Sequence, residues 1–80
     1  MIYPELDCSP TWHFIEVYME YDRQMPRIMF LVSRTNGDYE VLDTNHKVRF
    51  VDRSYDEATY WLNEDEYVTV SEQITPDDIK

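Results

Sequence analysis

The sequence predicts an α+β fold: a small antiparallel sheet with one helix packed on one face, in the order β-β-β-β-α-β. Three observations carry this. Runs of strand length, rich in β-branched and aromatic residues, follow one another from residue 12 to residue 52. The chain's one glycine stands in an Asn36-Gly37 pair between two such runs. After Ser54 the apolar spacing changes from that of a strand to that of a helix.

The first element covers residues 12–22. Ile15, Val17, Met19 and Tyr21 alternate there with Glu16, Glu20 and Asp22, which is the pattern of a strand. A helix is the rival, capped by Ser9 with Pro10 at its first position and burying Trp12, Ile15 and Met19. The alternation and the aromatic content favour the strand. Residues 22–26 then form a loop that Pro26 ends.

Residues 27–52 read as a three-stranded meander. Asn36-Gly37 suits a two-residue hairpin turn, which needs two positive φ angles. That turn sets Val32 against Val41 and Leu31 against Leu42, like against like on both faces. A second two-residue loop at Asn45-His46 sets Val41 against Phe50, Asp43 against Val48 and Leu42 against Arg49. Val32, Val41 and Phe50 then form one apolar row.

Ser54-Tyr55-Asp56-Glu57 reads as a capping box that opens a helix, with two acids at its positive end. Tyr55, Ala58, Trp61 and Leu62 share one face, and the helix runs to Asn63 or Glu64. Val68 and Val70 alternate with Thr69 in a last strand over residues 67–71. Thr75-Pro76-Asp77-Asp78 begins a short terminal turn or a frayed tail.

One helix leaves a sheet face over. The strands carry apolar residues on both sides: Ile28, Phe30 and Val32 against Met29, Leu31 and Leu42, and Trp12, Phe14 and Tyr18 against Ile15, Val17 and Met19. The second face needs a cover, and the candidates are residues 1–10, a second copy of the chain, or a foreign partner.

Charge restricts function more than fold does. Seventeen acids face seven bases, for a formal net charge of −10 on 80 residues. Residues 1–22 hold five acids and no base; residues 54–80 hold eight acids and one base, Lys80. The middle, 23–53, holds six bases and four acids. Such a surface repels nucleic acid and anionic membrane and attracts basic surfaces. The bases Arg34, Lys47, Arg49 and Arg53 are expected to pair with Glu40, Asp43 and Asp52 rather than to bind nucleic acid.

Eighty residues make one small domain, too apolar at 42% for a disordered acidic tail. A single cysteine, Cys8, forms no internal disulfide, which points to a reducing compartment. No stretch approaches the roughly 20 apolar residues of a membrane span. A soluble, cytoplasmic protein is expected.

The sequence offers no catalytic set, no metal site and no cofactor motif, so a non-enzymatic role is expected. Cys8 sits in an acidic, base-free segment that disfavours a reactive thiolate, although His13 and His46 are available as bases. Those two histidines lack companions at zinc-ligand spacing. Glu64-Asp65-Glu66 lacks the spaced acids and central glycine of a calcium loop. One glycine rules out a Gly-rich phosphate loop.

Two surfaces remain as binding candidates. The acidic one comprises Glu16, Glu20 and Asp22 on the first strand, with Asp56, Glu57, Glu64, Asp65 and Glu66 around the helix. Carboxylates held on a rigid scaffold can stand in for phosphates against a basic, nucleic-acid-binding surface. The aromatic one comprises Trp12, Phe14 and Tyr18, and would serve an adaptor domain, with a homodimer among its forms.

In size and composition the whole chain resembles small acidic phage-encoded inhibitors of the anti-CRISPR and anti-restriction type. The resemblance implies a protein partner with a basic surface, no direct contact with nucleic acid, and a place in the host cytoplasm.

Overall fold

The computed structural model describes residues 12–20 and 24–79, without the side chain of Ile79. The readings on Cys8, Asp22, residues 1–10 and the last two residues of the first strand lie outside the described residues.

The order of elements is the one expected: β1 (Trp12–Glu20), β2 (Arg27–Arg34), β3 (Tyr39–Asp43), β4 (Val48–Asp52), α1 (Tyr55–Glu64) and β5 (Tyr67–Thr69), followed by a short 3-10 turn (Pro76–Ile79). The five strands form one antiparallel sheet in the order β4-β3-β2-β1-β5. Since α1 connects the two edge strands, it crosses the whole sheet and packs on β3, β4 and β5.

Residues 12–20 are strand rather than helix. The even positions Phe14, Tyr18 and, between them, Glu16 turn toward α1, while Ile15, Val17 and Met19 turn away. Tyr18, Met29, Leu31, Val41, Ala58, Leu62 and Tyr67 form the core under the helix, with Phe14, Tyr39, Phe50, Tyr55 and Trp61 around it. Phe50 and Trp61 stack at 5.2 Å, which pins the helix to β4.

The first hairpin differs from expectation by one residue. Leu31 faces Val41 and Val32 faces Glu40. The loop is three residues long, closed by Gly37 N–H to Arg34 O at 3.1 Å and Arg34 N–H to Asp38 O at 2.8 Å. Gly37 alone takes a positive φ, +99°, the arrangement of a type I turn followed by a one-residue bulge. A one-residue slip exchanges faces, so the inner row is Leu31, Val41 and Phe50.

The second hairpin is also a three-residue loop, with His46 at φ +64° where glycine is favoured. His46 N–H reaches Asp43 O and Asp43 N–H reaches Lys47 O. The expected Val41–Phe50 pair holds. It holds because a bulge before Leu42 absorbs the extra loop residue, so Leu42 faces Val48 in place of Arg49, and Asp43 no longer faces Val48.

Ser54 caps α1 as expected, its Oγ accepting from Glu57 N–H at 3.3 Å. The reciprocal half of the box comes from Asp52, whose Oδ1 accepts from Ser54 N–H at 2.9 Å. That substitution frees the Glu57 carboxylate for the surface.

Beyond β5 the chain stays beside β1. Val70 N–H donates to Val17 O, and Ile15 and Ile74 exchange two backbone bonds of 2.8 Å. This segment closes the β1 edge that the three-residue β5 leaves open.

Candidate functional site

The meander neutralises its own charge. Arg34 meets Glu40 at 2.9 Å, Arg53 meets Asp38 at 3.2 Å, and Arg49 meets Asp43 at 3.3 Å. The expected partner Asp52 is instead taken up by the helix cap. Asp43 accepts from the backbone N–H groups of Lys47 and Asn45, and these bonds, with Arg49 beside it, hold its carboxyl below the usual carboxylate range.

The first strand gives less acid to the surface than its sequence suggests. Glu16 is 5% exposed. It lies in the inner row beside Leu31, and its carboxylate accepts from Tyr18 and Tyr55 hydroxyls and from the Gln73 amide at 2.8–2.9 Å. The aromatic neighbours on its own face, Phe14 and Tyr18, draw it inward, and neutral donors compensate its lost hydration. Burial, and then the adjoining Glu16 carboxylate, push the Tyr18 hydroxyl well above the ordinary phenol range; the same two causes raise Tyr55. Glu20 is mostly covered and lies 3.8 Å from Arg27.

The aromatic trio is divided between the two faces. Tyr18 is a core residue and Phe14 meets Tyr55 edge-on at 6.2 Å on the helix side, whereas the bulge before Phe14 sets the half-buried Trp12 opposite Arg34, on the face turned away from α1. Tyr18 is thereby withdrawn from any contact surface.

The helix acids stay outside. Asp56, Glu57, Glu64, Asp65 and Glu66 are all exposed. Glu57, Tyr60 and Glu64 stand three and four residues apart, so they form one stripe on the outer side of α1, with the glutamates about 10 Å apart along its axis. Tyr60 in the centre is 61% exposed. Sequence reading left Tyr60 unassigned, although naming Ala58, Trp61 and Leu62 as the buried face already put Tyr60 on the other one. Asp65 lines a shallow groove with Glu20, Arg27, Arg49, Trp61 and Tyr67.

The far end of α1 has an electrostatic cost. Glu64, Asp65 and Glu66 sit where the helix dipole is negative, and the last turn carries no base. Glu66 also holds φ +66°, in the position after the cap that glycine ordinarily fills.

Among the described residues no three His, Cys, Asp or Glu side chains gather as metal ligands. No helix among them is long and apolar enough to cross a membrane. No protein-family model, curated protein or solved structure matches the chain.

Proposed function

We propose that this protein is a non-enzymatic binding protein that presents the acidic outer surface of α1 to a basic surface of a protein partner. The observation that carries the proposal is the stripe Glu57–Tyr60–Glu64, continued by Asp65 and Glu66. It gathers acid around an exposed aromatic ring on a rigid helix, and it keeps acid at a helix end where acid is destabilising. Tyrosine at the centre of a charged patch suits a desolvated anchor, and the surrounding carboxylates suit steering toward a cation-rich face. Pairing of the meander's arginines with its own acids leaves the net acid outside the meander, and the five exposed acids around α1 are one part of that excess.

A partner that ordinarily binds nucleic acid fits this chemistry, since carboxylates on α1 occupy the place of phosphates. In that role the protein acts as an inhibitor of the anti-defence type, working in the cytoplasm without touching nucleic acid itself.

Capture from a lysate of the native host tests this. The intact protein is compared with a variant carrying Glu57→Gln, Glu64→Gln, Asp65→Asn and Glu66→Gln. Basic proteins held by the first, lost by the second and displaced by added duplex DNA or RNA are the expected result. Equal capture by both proteins would remove the acidic surface from the account.

A further inference from the structure

At the end of the sheet where β2 begins and β3 turns into β4 there is a cleft of about 330 Å³, lined by Pro26, Arg27, Met29, Asp43, Asn45 and Arg49 among others. Arg27, Met29 and Arg49 also line the groove beside Trp61 and Asp65, so the two hollows share these side chains.

The sheet brings the two arginines together. Arg27 opens β2 two residues before Met29, so both turn to the same face. Met29 faces Asp43 on β3. On β4, Leu42 faces Val48 and Val41 faces Phe50, which makes Arg49 the extra residue of the bulge. Its guanidinium reaches Asp43 at 3.3 Å. Two guanidiniums thus meet one hollow from the strands on either side of β3.

These two arginines are held more loosely than the others of the meander. Arg34 donates to Glu40 at 2.9 Å, and Arg53 donates both to Asp38 and to the Asn36 carbonyl. Arg27 Nε, in contrast, stands 3.8 Å from Glu20 Oε1, beyond hydrogen-bond reach. Arg49 gives one terminal nitrogen to Asp43, whose other oxygen already accepts from the Asn45 and Lys47 backbone N–H groups. Both side chains are about half exposed, at 54% and 46%. A guanidinium carries five N–H donors in a planar fork, and these contacts leave most of both forks to solvent.

We propose that Arg27 and Arg49 clamp the carboxylate of a small aliphatic acid in this cleft. The charged side chains lining it are two bases and one acid, on a chain whose net charge is −10. A planar carboxylate matches the guanidinium fork and can accept from both. Asp43 and the acidity of the whole chain disfavour a dianion, so a monoanion fits best. Pro26 and the nearly buried Met29 supply apolar wall for a short aliphatic stem. The volume lies at the lower end of small-molecule sites, which run from roughly 300 Å³ upward.

Titration with propionate tests this, followed by the arginine Nε–H signals in nitrogen–proton NMR spectra at constant ionic strength in sodium chloride. Saturable shifts of the Arg27 and Arg49 signals at millimolar propionate are expected. Propionamide, of the same shape without the charge, is expected to shift neither. Arg27→Gln and Arg49→Gln should each weaken binding by about tenfold or more, and the two together should abolish it. Arg53→Gln, at the other end of the sheet beside Asp38, should leave it unchanged. Should the double variant lose the native amide spectrum, the single variants are read in the same way. Propionate shifts no larger than those from chloride, or binding that persists undiminished in the arginine variants, overturn the proposal. None of Glu57, Tyr60 and Glu64 lines this cleft, so propionate binding and partner capture succeed or fail independently.

Discussion

The hydroxyl of Tyr55, in the first turn of α1, lies 2.9 and 2.8 Å from the two carboxylate oxygens of Glu16, in the middle of β1. This contact joins helix to sheet across 39 residues of chain. Gln73 brings the C-terminal segment to the same carboxylate, so one buried group ties three parts of the molecule together. Removing the charge strands its donors. Glu16→Gln is expected to cost about 2–3 kcal/mol, and Tyr55→Phe about 1–2 kcal/mol, in urea titration. In a double-mutant cycle the pair should couple by about 1 kcal/mol or more; additive losses would show that the two residues act separately.

Alkaline pH tests the same cluster from the side of the phenols. Tyr18 and Tyr55 both have raised proton affinities in the fold. Below the unfolded phenol value of about 10, both states hold the proton and the contribution to stability is complete. Above it the unfolded chain releases protons that the native state retains, so stability falls as pH rises. Phenolate absorbance should therefore show Tyr18 titrating only together with loss of native circular dichroism, and Tyr55 titrating above the ordinary phenol range. Smooth ionisation of all seven tyrosines in the folded protein would contradict their burial.

The two meander loops make opposite predictions. Gly37→Ala forces a side chain to φ +99° and sets its Cβ 2.7 Å from an Arg53 guanidinium nitrogen. The expected loss is about 1–2 kcal/mol. His46→Gly relieves a left-handed residue in the equivalent position and is expected to be neutral to stabilising, by up to about 1 kcal/mol. Ser54→Ala removes one cap bond and falls between them, at a loss of about 1 kcal/mol or less. Equal thermal midpoints for all three would contradict the loop geometry.

Glu66 separates stability from binding. Glu66→Gly supplies the residue that the left-handed position favours and removes an acid from the negative end of α1. Stability is expected to rise by about 0.5–1 kcal/mol while partner capture weakens. A variant that gains stability and loses no binding would show that Glu66 takes no part in the contact.

Element order was legible in the sequence because each element carries its own period. Strand alternation marks residues 12–20, and the spacing of Tyr55, Ala58, Trp61 and Leu62 marks α1. Register was less legible. Leu31 and Val32 are both apolar, so alternation fits either pairing with Val41, and the choice fell to the loop. Asn36-Gly37 suggests a two-residue turn, but Gly37 alone adopts positive φ. The pairing of β5 with β1, and with it the sheet order, had no local signal.

Of the acidic surface, the helix residues were legible and Glu16 was not. Its burial depends on Tyr55 and Gln73, which are distant in sequence. The clue available was that Phe14 and Tyr18 flank it on one face, so a buried aromatic pair carries the residue between them inward. With Glu16 inside and the meander's arginines paired, the acid proposed for binding lies along α1.

The most direct test of that conclusion is the affinity of a captured partner measured as ionic strength is raised. Binding through the α1 carboxylates predicts a steep linear fall of log affinity with log salt, with complex lost within a few hundred millimolar. It further predicts a shallower slope for Glu57→Gln with Glu64→Gln. An affinity that stays constant through high salt, or a slope unchanged by those substitutions, would contradict it.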